Sequence, residues 1–124
     1  MTDPLKLSAA ELGHAFEINQ SDPVEVVEAF FDSIQESKLK NRIYVTITKA
    51  RAVSEAEDSR KRQRQNLRLG PLDGVPVSWK DLFDVAGYET NAGSNLLKGR
   101  ASKNDCSALK NASMNGLVTL GKTH

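Results

Sequence analysis

Lys80 ends a short run, residues 75–80, in which apolar and polar side chains alternate. Strand geometry sends Val75, Val77 and Trp79 to one face and Pro76, Ser78 and Lys80 to the other, so the amine leaves the apolar side. A lysine so placed is ordinarily a solvated surface group. To work as a base it must be neutral, which requires surroundings that disfavour the ammonium. Two neighbours could tune it: Asp81 could orient Lys80 or fix the backbone after the strand, and Ser78 on the same face could touch it. A second lysine stands in a different pattern. Residues 116–123, Gly-Leu-Val-Thr-Leu-Gly-Lys-Thr, satisfy the phosphate-loop formula G-x-x-x-x-G-K-[ST] letter for letter. That loop needs small, flexible residues between its glycines and a helix after it to hold the phosphate. Here the intervening Leu, Val, Thr and Leu are strand formers, which argues against nucleotide binding.

The remaining candidates are weaker. Arg60, Lys61, Arg62 and Arg64 could bind phosphates, as in a module that binds RNA or a protein partner. Glu55, Glu57 and Asp58 lie about a turn earlier and nearly neutralise them, so a solvated helix face is expected. The single cysteine, Cys106, has no partner for a disulfide or a metal pair, and a small buried apolar role is expected. His14 and His124 are far apart with no cysteine or carboxylate cluster between them, so no metal and no cofactor is expected. A net charge of +1 creates no global field that would draw in nucleic acid or a membrane surface. The roughly eighteen consecutive apolar residues of a membrane span do not occur, and the N-terminus has no apolar signal core. A soluble cytoplasmic domain with its own core is expected.

The elements that must position Lys80 are read from caps and periodicity. Ser8 with Glu11 makes a capping box, with Leu7 able to staple onto Leu12, and the helix it starts turns Leu12, Ala15 and Phe16 to one face. Asp22 followed by Pro23 and Glu25 starts a second helix that runs to about Lys38, with Val27, Phe30, Phe31 and Ile34 as its apolar stripe. Residues 43–47 are β-prone and residues 48–65 helix-prone. Gly70, Pro71, Asp73 and Gly74 form an ordered loop feeding the strand 75–80, with Pro76 at its start or on an unpaired edge. Residues 86–104 form a long loop that could line a site. Asp105 is expected to cap a last helix containing Ala108, Leu109 and Ala112, before a short buried strand 117–120 that ends at Gly121. This order indicates an α/β sheet lacking further strands, whose last strand would be an exposed edge.

Set together, Gly70-Pro71-Leu72-Asp73-Gly74-Val75-Pro76-Val77-Ser78-Trp79-Lys80-Asp81 and Asp84-Val85-Ala86-Gly87 resemble the amidase signature pattern around its invariant lysine. Ala92-Gly93-Ser94 resembles that family's small-residue loop, and Asp105 through Gly116 to Gly121-Lys122-Thr123 its following helix and strand. The openings at residues 7–12 and 23–27 resemble its first two helices, so nearly the whole chain is covered. Asn91 stands where threonine is common, and His124 where asparagine is common. The resemblance implies the N-terminal portion of one amidase domain, residues 1–124, with 1–68 mainly helical and 69–124 carrying the first strands, loop and helix around Lys80. The implied fold is α/β, helices packed on a mixed sheet and truncated. The implied reaction is hydrolysis of a small-molecule amide by a serine, a second serine in a cis peptide and a lysine. Only the lysine maps here, to Lys80; the serines are expected beyond position 124, so the segment alone is expected to be inactive and of low stability. A tRNA-dependent amidotransferase subunit shares the same pattern.

Overall fold

The computed structural model describes residues 3–97 and 99–124. A 3₁₀ turn at Pro4–Lys6 leads into helices α1 (Ala9–Glu17), α2 (Pro23–Glu36) and the short α3 (Lys40–Ile43). Strand β1 (Tyr44–Ile47), helix α4 (Lys49–Arg64), strand β2 (Pro76–Lys80), helix α5 (Ser107–Met114) and strand β3 (Val118–Thr123) follow. The local start signals act as expected. Ser8 Oγ accepts from Glu11 N at 3.1 Å while Ser8 N donates to Glu11 Oε1 at 3.0 Å, and Leu7 packs on the cluster that contains Leu12. Asp22 Oδ1 accepts from Val24 N at 2.8 Å and Pro23 occupies the first turn.

The three strands form one sheet in the order β1-β3-β2, with β3 antiparallel to β1 and parallel to β2. Two expectations for β3 are thereby corrected. It runs through Gly121 to Thr123, and it is the central strand, with β1 and β2 as the edges. Gly121 does not end the strand because it serves a close approach. A Cβ there would meet Thr46 O at 2.5 Å and Tyr44 Cδ1 at 3.1 Å. Pro76, without a donor, begins the edge strand β2, where no ladder bond is lost.

Helices α2 and α4 cover one side of this sheet. Val24, Val27 and Phe31 of α2, Ala52 and Ala56 of α4, and Val118 and Leu120 of β3 form one buried cluster. Leu12 and Phe16 of α1, Val26 of α2 and Val75 form a second. The register between β2 and β3 shifts after Val77 and Thr119, and α4 braces the irregularity. Thr48 Oγ1 donates to Thr119 O at 2.8 Å, and Thr119 N donates to Glu55 Oε1 at 3.0 Å, so the displaced backbone groups stay satisfied.

Polar side chains expected at the surface tie the segments together. Asp73 is wholly buried in the loop before β2. It accepts from Ser59 Oγ (2.8 Å), from Arg62 Nε and Nη2 (2.8 and 2.7 Å) and from Leu69 N (2.9 Å). Gly116 has φ +84°, and any Cβ there would fall on the Asp73 carboxylate. The run 60–64 is solvated only in part: Lys61 and Arg64 are exposed, but Arg62 serves Asp73, and buried Gln63 donates to Phe16 O and Ser21 O, both at 2.8 Å. Nor does Asp105 cap α5. Cys106 takes the N-cap position with no side-chain cap bond and is half-buried, not enclosed. Asp105 is held instead by the Arg51 fork at 2.7 and 2.8 Å and by Ala86 N at 2.8 Å.

These contacts make stability depend on pH. Burial raises the Asp73 carboxyl, but the bonds from Arg62, Leu69 N and Ser59 outweigh it and hold the group below its ordinary range. The Arg51 fork, against burial, does the same for Asp105. Burial lifts Glu55 above its range despite Thr119 N and Arg51. A depressed carboxyl stabilises the fold above its unfolded pKa and loses that contribution as pH falls through the folded value. Glu55 acts in the opposite sense and offsets part of the loss. The thermal midpoint should therefore fall as pH is lowered from about 5 to about 2, and less steeply in Asp105→Asn; equal slopes would remove Asp105 from this account.

Candidate active site

Lys80 is exposed at the C-terminal end of β2, and among the described residues its ammonium makes no hydrogen bond or ion pair. The backbone around it is fixed. Lys80 O accepts from Leu82 N (2.7 Å) and Phe83 N (3.1 Å), Asp81 N donates to Thr123 O (2.8 Å), and Ala92 N donates to Asp81 O (3.0 Å). Trp79, the preceding residue, packs edge-on against Phe83 with ring centroids 5.5 Å apart.

The second lysine has a different fate. Lys122 is wholly buried, and its Nζ donates to Glu89 O at 2.6 Å and Thr90 Oγ1 at 2.7 Å. Asp81, only 5% exposed, lies 2.8 Å from it through Oδ1, an ion pair lying off the hydrogen-bonding direction. Asp81 Oδ2 accepts from Asn91 N at 3.2 Å. The sequence left two roles open for Asp81, and the carboxylate takes the second: it fixes the backbone after the strand and pairs with Lys122, not Lys80. Trp79 is in register with Lys122, and Lys80 with Thr123. Paired residues share a face and successive ones alternate, so the two lysines leave the sheet on opposite sides.

Ser78 shares the face of Lys80, but its hydroxyl meets Tyr44 OH at 2.7 Å. Tyr44 reaches it across β3, at the place where Gly121 has no side chain. The sequence offered no sign of this pair, because it joins residues thirty-four positions apart. Lys122 was missed for another reason: it was read only as part of a phosphate-loop formula. Residues 118–123 are a strand whose lysine is consumed inside the protein, which leaves no cradle for phosphate.

The long loop is ordered by its own polar groups. Gly87 N donates to Ser102 O (2.8 Å), Ser102 N to Tyr88 O (2.9 Å) and Gly99 N to Glu89 Oε1 (2.7 Å). Ala92 and Gly93 take positive φ values of 49° and 77° beside the site. An open cleft of about 880 Å³ borders this loop, with Leu82, Asp84, Thr90, Ala92, Leu97 and Arg100 among its walls. It shares Thr90 and Ala92 with the surroundings of Asp81. Among the described residues no cluster of three or more His, Cys, Asp or Glu could hold a metal, and no helix is long and apolar enough to cross a membrane.

The two lysines should answer differently to truncation. Lys122→Met strands the buried Asp81 charge and should cost about 3–5 kcal/mol, whereas Lys80→Ala should stay within about 0.5 kcal/mol of the parent. Urea unfolding measures both, and comparable losses would contradict the assignment of one buried and one exposed amine.

Comparison with known proteins identifies the family. The family model described as Amidase matches residues 25–124. The A subunit of the mitochondrial glutamyl-tRNA(Gln) amidotransferase of Ornithorhynchus anatinus is 37% identical over 120 residues, covering 97% of this chain and 23% of that protein. The corresponding subunit of Thermobifida fusca is 37% identical over 124 residues, covering 100% and 25%. The chain thus spans about a quarter of the length of the curated relatives it matches. Among solved structures, the native peptide amidase of Stenotrophomonas maltophilia superposes with a TM-score of 0.87 at 25% identity, over 96% of this chain and 25% of that one. A bacterial aryl acylamidase of the amidase signature family gives 0.84 at 27% identity, over 95% and 25%. With its lysine-bearing strand, its small-residue loop and its helices on a mixed sheet, the chain belongs to the amidase signature family.

Proposed function

We propose that the chain is the lysine-bearing part of an amidase that hydrolyses a carbon–nitrogen amide bond to a carboxylate and ammonia or an amine, with Lys80 as the base. The observation that carries this reading is the state of Lys80, whose exposed amine sits on tied backbone while the carboxylate next to it is engaged elsewhere. In a Ser/cis-Ser/Lys mechanism a neutral lysine takes a proton from the bridging serine, which takes one from the nucleophilic serine. The nucleophile attacks the carbonyl carbon, the leaving nitrogen departs protonated, and water cleaves the acyl-enzyme. The glycine-serine-rich segment that would supply both serines has no counterpart in residues 1–124. Both are assigned to other parts of the polypeptide, and residues 1–124 alone are proposed to be inactive.

A second reading is favoured by the 37% identity to two amidotransferase A subunits. Here the same chemistry releases ammonia from glutamine for use by a partner subunit. Ammonia release from simple carboxamides and from glutamine separates the two readings when measured on the complete reading frame that contains this segment. In either case Lys80→Ala should lower kcat by about 10²–10⁴-fold. An unchanged rate would withdraw Lys80 from the mechanism, and turnover by residues 1–124 alone would overturn the assignment of the serines.

A further inference from the structure

A carboxylate next in sequence to an exposed ammonium is its natural counter-ion, and an opposite charge within about 4–6 Å favours the charged amine. For a lysine that must act as a base this is the wrong environment. Three acidic residues follow Lys80 closely, Asp81, Asp84 and Glu89, and each is engaged within the fold. Asp84 Oδ1 accepts from Ser102 Oγ at 3.0 Å, and Glu89 Oε1 accepts from Gly99 N at 2.7 Å. Asp81 is the nearest, and a buried ammonium from the neighbouring strand holds it.

We propose that Lys122 is a positioning residue for Lys80: it binds the Asp81 carboxylate on the opposite face of the sheet and so withholds from Lys80 the carboxylate next to it in sequence. The proposal rests on the reading of Lys80 as the base. Lys122 is suited to the task because it is wholly buried and places its Nζ 2.8 Å from Asp81 Oδ1. Its other two bonds, to Glu89 O and Thr90 Oγ1, fix the ammonium so that it cannot follow Asp81 toward solvent. Asn91 N and the main-chain bonds of Asp81 to Thr123 and Ala92 hold the carboxylate from its own side. A neutral residue at position 122 would leave a carboxylate whose nearest cation in sequence is Lys80.

The test reads the chemistry of Lys80 itself. At fixed pH, acylation of an amine by a water-soluble succinimidyl ester tracks its neutral fraction, and peptide mass spectrometry reports Lys80 separately from exposed Lys103, the internal reference. Relative to that reference, Lys80 should react about 3- to 10-fold more slowly in Lys122→Met, where Asp81 is released. It should react within about twofold of the parent in Asp81→Asn, and in Lys122→Met/Asp81→Asn, where no charge remains to be withheld. Rescue by the second substitution is what a merely structural role of Lys122 would not give. Lys80 faster by more than about threefold in Asp81→Asn would mean that Asp81 already holds it in the charged form, and a slow double variant would mean that Lys122 acts by other means; either overturns the proposal, as does an unaltered rate in folded Lys122→Met. If Lys122→Met alone does not fold, the double variant decides, since neutralising both members of a buried pair is tolerated better than breaking it. Unchanged turnover in Lys80→Ala would remove the catalytic reading without altering these rates, so the two failures are distinguishable.

Discussion

A lysine ammonium buried in the central strand constrains everything around it. Taking such a charge out of water costs several kcal/mol even after relaxation, and the cost is bearable only where acceptors surround the group. Lys122 finds them in Asp81, Glu89 O and Thr90 Oγ1, all contributed by the chain that leaves β2. The course of that chain is therefore dictated by β3. It must turn at once after Lys80 to bring Asp81 inward, then return so that residues 89–92 pass the same point. The positive φ values at Ala92 and Gly93 mark where it bends away again.

The entry to β2 is held in the same manner. Asp73 lies in the loop before the strand and meets Arg62 of α4, as Asp81 lies after the strand and meets Lys122 of β3. Each end of the strand that carries Lys80 is thus fixed by a buried carboxylate and a cation from a different element. Breaking either pair would leave an unpaired charge in the interior, which is far more costly than losing a surface contact. Gly116 belongs to the same device, because only a residue without a side chain leaves room for Asp73, and Gly74 N bonds to Gly116 O at 2.8 Å. The rigidity of the strand that carries Lys80 comes from these anchors, since a strand of five residues at a sheet edge has little of its own.

What the sequence disclosed follows from how local each signal is. The Ser8–Glu11 box, the Asp22-Pro23 start and the stripe of α2 involve groups within a turn or two of one another, and the helices form where those signals stand. The alternation in 75–80 likewise placed Lys80 on a strand and away from the apolar side. Misreadings arose where a residue's partner is distant. Asp105 has the composition of a cap, yet Arg51, fifty-four residues earlier, claims it with two charge-assisted bonds that an exposed cap could not match. Gly121 has the look of a strand end until Tyr44 is known to pass over it. Lys122 fitted a phosphate-loop formula because that formula records residue types and not whether a strand or a loop carries them. The helix α3 was missed because one turn with no side-chain cap leaves almost no local mark.

The separation of the two lysines also shows how one thin sheet holds two amines in different surroundings. On the face that carries Trp79 and Lys122, the charges of Lys122 and Asp81 are spent on cohesion. On the opposite face Lys80 stands beside Thr123, with Ser78 bonded to Tyr44. That hydroxyl pair spans from one edge strand to the other and rests on the gap above Gly121, so it stiffens the sheet across its width without placing a charge near Lys80. Neutral hydroxyls on the Lys80 face and paired ions on the Lys122 face are the distribution that leaves Lys80 without a counter-ion among the described residues. Exchanging the two sets would put a carboxylate beside the amine and favour its charged form, which is the state least able to accept a proton.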